Sequence, residues 1–171
     1  MTVREGSPAD AEAVARVRKE SWLATYPNEE LGIAREQIAA KDFDSDEAIE
    51  QIRGWLTREH PGQRVWVAQA DGAVVGFCAA MRGDSEHRIG ATYVLPGYQS
   101  RGAGQRLLGA ALAWLGHQRP VTLEVASYND GAIRFYERHG FRRTGHAAES
   151  LVAALPDGTR IPEIEMVRPA R

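Results

Sequence analysis

The 171-residue chain carries 21 Lys and Arg against 23 Asp and Glu, a formal net charge of −2, and is 43% hydrophobic. That length suits one domain over residues 1–171 with a sizeable core, and the balanced charge provides no global basic field of the kind that nucleic-acid binders show. The single cysteine, Cys78, excludes an internal disulfide and a multi-cysteine zinc site and points to a reducing compartment. No apolar run of signal-peptide length opens the chain, and nowhere do 18 uncharged apolar residues stand together. The expectation is a cytoplasmic protein with neither a membrane nor a nucleic acid as partner.

Thr2 to Glu5 fits a short strand. Ser7-Pro8-Ala9-Asp10 then reads as a helix start: serine caps, proline suits the first helical position, and the acid three residues on closes a capping box. Ala11, Val14, Ala15, Val17 and Trp22 recur at mostly helical spacing, which predicts a helix over about 8–25, ending near Tyr26-Pro27. A second helix is predicted over about 29–40. A third, over about 46–58 with Ser45 as cap, carries the stripe Ala48, Ile49, Ile52, Trp55 and Leu56. After Pro61-Gly62 the period changes to that of strands, about 65–68 and 74–81, joined by the two-residue turn Asp71-Gly72. A strand over about 89–95 stops at Pro96-Gly97. The stripe Leu107, Leu108, Ala111, Leu112 and Leu115 predicts an amphipathic helix over about 102–117. A strand over 121–126 leads to a helix over about 130–139, with Asn129 as cap and Gly140 as stop. The tail reads as two long strands, about 141–155 and 159–167, around Pro156-Asp157-Gly158. No repeat, low-complexity tract or linker divides the chain.

The stretch QSRGAGQRLL, residues 99–108, marks the start of the helix over 102–117 with two glycines and two arginines. Gly97 and Gly102 have the spacing of a Walker phosphate loop, but Ala103 and Gly104 stand where its lysine and hydroxyl residue would meet phosphate and magnesium. A dinucleotide fingerprint would need its third glycine where Leu107 stands, and a hairpin precedes it instead of a strand–helix–strand series. Two readings stay open. Either the glycines only let strand turn tightly into helix, or the unpaired amides of a helix N-terminus, open to close approach, hold a pyrophosphate without magnesium, with Arg101 and Arg106 adding charge.

The run Tyr93-Val-Leu-Pro-Gly-Tyr-Gln-Ser-Arg-Gly-Ala-Gly104 resembles motif A of the GNAT superfamily of acyl-CoA-dependent N-acyltransferases, Q/R-x-x-G-x-G/A, through Gln99, Gly102 and Gly104. Downstream, Asn129, Ala132, Phe135-Tyr136 and Gly140-Phe141 resemble motif B, N-x-x-A-x-x-x-Y-x-x-x-G-F. The two motifs stand in family order, and the resemblance covers nearly the whole chain. It implies an α/β (α+β) fold: a mixed, mostly antiparallel twisted sheet of about six to seven strands flanked by helices. It implies acetyl-CoA as donor, no metal, and, as is common in the family, a homodimer. It implies that the fourth and fifth strands splay around the pantetheine arm, with Thr92, Tyr93 and Val94 beside it through backbone groups. Ser100, Arg101, Gly102, Ala103, Gly104 and Gln105 would surround the pyrophosphate. Asn129 matches a cofactor-contacting position, and Tyr136 matches the tyrosine expected near the thioester sulfur.

Acetyl transfer needs a neutral amine. At pH 7.4 a lysine of pKa near 10.4 is neutral about one part in a thousand, and an α-amino group near 8 roughly a fifth of the time. On the leaving side, a phenol of pKa about 10 facing a thiol of about 8.5 makes full proton transfer uphill by only about 2 kcal/mol, so Tyr136 suits the role of acid or of hydrogen-bond donor to developing thiolate. Glu124 is the candidate base. Leu123-Glu-Val, with Asn129 five residues after the glutamate, is similar to the arrangement in ribosomal-protein alanine N-acetyltransferases, and the alternative is an ordinary exposed strand glutamate. A base on the preceding strand, where many relatives carry one, is not offered by Gly90-Ala91-Thr92. Trp22 and Tyr26 are candidates for lining an acceptor pocket, with core packing as the alternative for Trp22. Trp55, Trp66 and Trp114 read as packing residues, and the histidines lack metal-ligand spacing. The expected activity is acetyl transfer from acetyl-CoA to a primary amine, a small amine or amino compound, by direct attack in a ternary complex. Protein N-terminal or lysine acetylation, and a non-catalytic CoA-binding module, are the alternatives.

Overall fold

The computed structural model of the chain describes residues 1–57, 59–148 and 153–171. The strands are β1 (Thr2–Glu5), β2 (Gln63–Ala70), β3 (Ala73–Met81), β4 (His87–Val94), β5 (Val121–Ala126), β6 (Arg142–Ala148) and β7 (Glu163–Arg168). Among the described residues these seven form one sheet, in the order β1-β2-β3-β4-β5-β7-β6. All neighbours are antiparallel except β4 and β5, which run parallel. The helices are α1 (Ala11–Thr25), α2 (Arg35–Ala39), α3 (Asp46–Trp55), α4 (Ala103–Leu115) and α5 (Asp130–Arg138). This is the mixed, mostly antiparallel sheet with flanking helices that the motifs imply.

The hairpin between β2 and β3 turns on Asp71 and Gly72, both at positive φ (51° and 81°), the pair of left-handed residues that a tight twisted hairpin requires. From Val74 to Cys78 every residue of β3 is buried, unlike a strand with one face in water, because helices α1 and α4 both pack on it. Gly76 lets them close in: a Cβ there would stand 2.8 Å from the Tyr93 carbonyl oxygen and 3.2 Å from a Leu107 methyl. The main core joins α1, α3 and α4 to the sheet. A second cluster gathers Trp22, Tyr26, Ile33, Ile38, Phe43 and Leu155, and Tyr93 packs against both.

Three elements differ from the sequence reading. Residues 29–34 are not helical: Asn28 and Ile33 exchange backbone hydrogen bonds of 2.8 and 2.9 Å around Gly32 at φ 66°, so α2 begins only at Arg35. The helix start at Ser7 is a 3-10 turn, Pro8–Asp10, in which the Ser7 amide and hydroxyl both donate to Asp10 Oδ2 and the Arg4 guanidinium donates to both carboxylate oxygens. The tail strands are short. β6 ends at Ala148, and the Ala154–Arg160 bridge closes a separate turn before β7; residues 149–152, and Arg58 at the expected end of α3, lie outside the described residues. Among the described residues no helix is long and apolar enough to cross a membrane.

One irregularity positions the site. β4 pairs with β5 at His87–Val121 and Arg88–Thr122, and beyond these the two strands diverge. At the same place the β3–β4 register slips, so that Ala79 faces Ala91 while Ala80 faces Ile89, leaving Gly90 as an extra residue that bends β4.

Candidate active site

The divergence of β4 from β5 opens a cavity of about 530 Å³. Along it lie Thr92, Tyr93 and Val94 of β4, and α4 closes one end. Gly102, the N-cap of α4, sits at φ 84°, and Ser100 at φ 60°, so the loop makes two left-handed turns before the helix begins. The Gln99 amide donates to the Val94 carbonyl oxygen at 3.1 Å and fastens this loop to β4. Ser100, Gly102, Gly104 and Gln105 line the cavity beside the first-turn amides of α4, which have no acceptor within the helix. Ala103 is buried in the core instead, and the Arg101 guanidinium lies 5.5 Å over the Tyr98 ring; neither side chain lines the cavity. Asn129 lines it and caps α5, its Oδ1 accepting from the Ala132 N–H at 3.1 Å.

Tyr136, on α5, is 7% exposed and packs edge-on against Phe135 and Phe141. Burial pushes its phenol well above the usual 10, with the Thr92 hydroxyl pulling the other way. Cys78 is fully buried behind Thr92, its Sγ 3.4 Å from the Thr92 hydroxyl, and desolvation pushes its thiol up to about 12; it does not line the cavity. The acceptor-side candidates meet at Tyr93: the Trp22 indole N–H donates to the Tyr93 hydroxyl at 2.9 Å, and the Tyr26 hydroxyl stands 3.3 Å from it. Trp22, at 2% exposure, is both a core residue and a wall of the cavity. Tyr26 lies edge-on to it, 4.8 Å between ring centres, and the Tyr128 hydroxyl donates to the Tyr26 carbonyl oxygen at 2.7 Å.

Glu124 lines the cavity from β5, but in an ion pair: Arg88 Nη2 lies 2.5 Å from its Oε2. A second carboxylate, not singled out in the sequence, joins it. Glu163, the first residue of β7, pairs across from Ala126 and lines the same cavity, with its Oε2 buried and, among the described residues, without a hydrogen-bond partner. Burial raises its carboxyl to about 7, the nearby Glu124 charge adds to the rise, and Arg88 opposes it. The alternation Glu163-Ile164-Glu165-Met166 marks the polar face of this strand, but only the sheet order brings that face beside β5. Arg88, Arg138 and His139 also line the cavity and carry no motif of their own. Among the described residues no group of three or more His, Cys, Asp or Glu side chains is placed to hold a metal ion.

One cavity thus joins the α4 N-terminus, the gap between β4 and β5, and Tyr136, Glu124 and Glu163. Residues 17–141 match the model of the Acetyltransferase (GNAT) family. The chain belongs to this family. This GNAT acetyltransferase is 32% identical, over 141 residues, to an uncharacterized N-acetyltransferase of Mycobacterium tuberculosis, the match spanning 80% of this chain and 85% of the relative. It is 35% identical over 82 residues to the N-alpha-acetyltransferase RimI of the same organism, which covers 46% of this chain and 51% of that one. The GNAT fold itself aligns with the PaiA N-acetyltransferase of Thermoplasma acidophilum in complex with coenzyme A, at a TM-score of 0.75 over 98% of each chain, and at 20% identity that likeness is one of fold.

Proposed function

We propose that this acetyltransferase moves an acetyl group from acetyl-CoA to a primary amine by direct attack in a ternary complex. The observation that carries the reading is the single cavity that runs from the α4 N-terminus to Tyr136 and Glu124. The amides around Ser100, Gly102 and Gly104 would take the pyrophosphate, and β4 backbone groups from Thr92 to Val94 the pantetheine arm, as a strand takes a partner. With the arm in place the thioester sulfur comes beside Tyr136. Because burial weakens that phenol as an acid, complete transfer to a thiolate of pKa near 8.5 is steeper than for a free tyrosine, and hydrogen-bond donation to the sulfur as it gains charge is the main role left to it.

Trp22 and Tyr26 wall the cavity with aromatic rings, and a small amine or one chain end is the acceptor that this lining supports. The kinship with an N-alpha-acetyltransferase favours, as a second reading, a protein N-terminus as that chain end. The one buried cysteine agrees with a cytoplasmic, reducing setting. Thiol release from acetyl-CoA, followed over a panel of alkyl monoamines, diamines, free amino acids and short peptides, tests the reading. Acceptor-dependent release is the expected result, a small amine outpacing the peptides supports the first reading, and binding of CoA without release to any acceptor would leave only a binding module.

A further inference from the structure

Sequence reasoning directs attention to Glu124, yet in the folded protein Arg88 already neutralises that carboxylate at 2.5 Å. Glu163 carries no such pair at its Oε2, which is buried, without a hydrogen-bond partner among the described residues, and on the cavity wall that Tyr136 shares. Resting on the acetyl-transfer reading, we propose that Glu163 is the catalytic base, the group that takes the proton from the acceptor ammonium.

The surroundings suit the task. From β5 the Glu124 carboxylate and from β4 the Arg88 guanidinium act on Glu163 with opposite sign, and Tyr26 just after α1, Tyr93 of β4 and Tyr128 after β5 all feel its charge. Glu163, Tyr26 and Tyr136 line the same cavity, so the base and the sulfur-side donor open onto one space. A carboxyl raised to about 7 is half ionised near neutral pH and strong enough, when ionised, to accept a proton from an ammonium briefly held against it. An exposed carboxylate near 4 is far weaker as a base. The step balances. The ammonium gives one proton to Glu163, and the neutral nitrogen attacks the thioester carbonyl carbon. The N–C bond forms and the C–S bond breaks, the sulfur leaves as a thiolate that accepts a hydrogen bond from the Tyr136 hydroxyl, and the second nitrogen proton passes to that thiolate, giving the amide and free CoA thiol. Glu163 then returns its proton to solvent.

The test compares wild type, Glu163→Gln and Glu124→Gln with acetyl-CoA and whichever amine of the panel turns over best, reading kcat/KM from pH 6 to 10 and CoA affinity by calorimetry. Wild type should rise with pH, with an apparent pKa near 7, and then level off. Glu163→Gln should bind CoA normally, fall about 100-fold at pH 7, and keep climbing with unit slope until the deficit closes near pH 9, because the solvent then deprotonates the amine. Glu124→Gln should keep a rise to a plateau but with its midpoint moved below the wild-type value, because the charge that helps raise Glu163 is gone and Arg88 is freed. Wild-type turnover with an unchanged profile in Glu163→Gln, or transfer of the pH signature to Glu124→Gln, would overturn the proposal while leaving acetyl transfer intact. Absence of wild-type turnover with every amine would overturn both. If Glu163→Gln does not fold, the carboxyl C=O infrared band decides: in wild type it should vanish with a midpoint near 7, in Glu124→Gln the band should remain with a lower midpoint, and a wild-type midpoint near 4 would overturn the assignment.

Discussion

Tyr136 is the residue on which motif and environment pull in different directions: the motif reads it as an acid, while burial raises its phenol and makes it a poorer one. In the proposed reaction its use would be an O–H donated to growing negative charge, which a phenylalanine of the same shape cannot supply. Tyr136→Phe should lower kcat about 100-fold with CoA affinity unchanged, as measured by thiol release and calorimetry, because the donor acts only as charge develops. Residues carried by motif spacing, Gln99, Gly102, Gly104, Asn129 and Tyr136, could be found in the sequence because each is fixed by its distance along one local turn or helix. Arg88 and Glu163 could not. They come from strands 75 positions apart in sequence, and nothing within either strand says that the other lies beside Glu124.

At the scale of elements, the turn into α4 makes two separable demands. Gly102 needs a left-handed backbone, φ 84°, with open space around it, so Gly102→Ala should cost torsional energy alone, about 1 kcal/mol or about 3 °C in Tm by thermal melts. At Gly104 a Cβ would rest 3.5 Å from the Phe135 ring, an ordinary contact, so Gly104→Val should fold; its methyls would then occupy the amide cradle and weaken CoA binding at least about tenfold, read by calorimetry. Unchanged affinity would refute the pyrophosphate assignment. The elements that were legible, from the Asp71-Gly72 hairpin to the capped α5, carry their own punctuation and period. Those misjudged, 29–40 and the long tail strands, obey weaker local rules: Gly32 permits a tight turn that the helical pattern did not forbid, and strand length in the tail depends on which neighbour is present to pair.

For the whole molecule, two carboxylates tilt stability in opposite senses with pH. Arg4, and then Ser7, hold Asp10 down to about 2, below its unfolded value, so its contribution is complete above pH 4 and is lost as the pH falls towards 2. Allowing for the solvent around Arg4, it amounts to about 1 to 2 kcal/mol, which Asp10→Asn should remove, flattening the acid limb of urea melts. Glu163, raised to about 7, runs the other way: it favours the native state below its unfolded pKa and loses that favour as the pH rises through 7, so Glu163→Gln should be more stable than wild type at pH 8. The gap between β4 and β5 has a consequence of its own. It is a sheet edge placed in the interior of the fold: beyond Arg88 the side of β4 towards β5 has no strand partner among the described residues, and at its far end the Gln99 side-chain amide takes the Val94 carbonyl oxygen. On the proposed reading, the donor's pantetheine arm would fill this gap in the sheet. Amides of β4 should exchange hydrogen readily in the free protein and become protected with CoA present, and saturating donor at about 100 times its Kd should add about 2.7 kcal/mol to global stability. On this view the supply of acyl donor governs how long the folded chain survives as well as how fast it works.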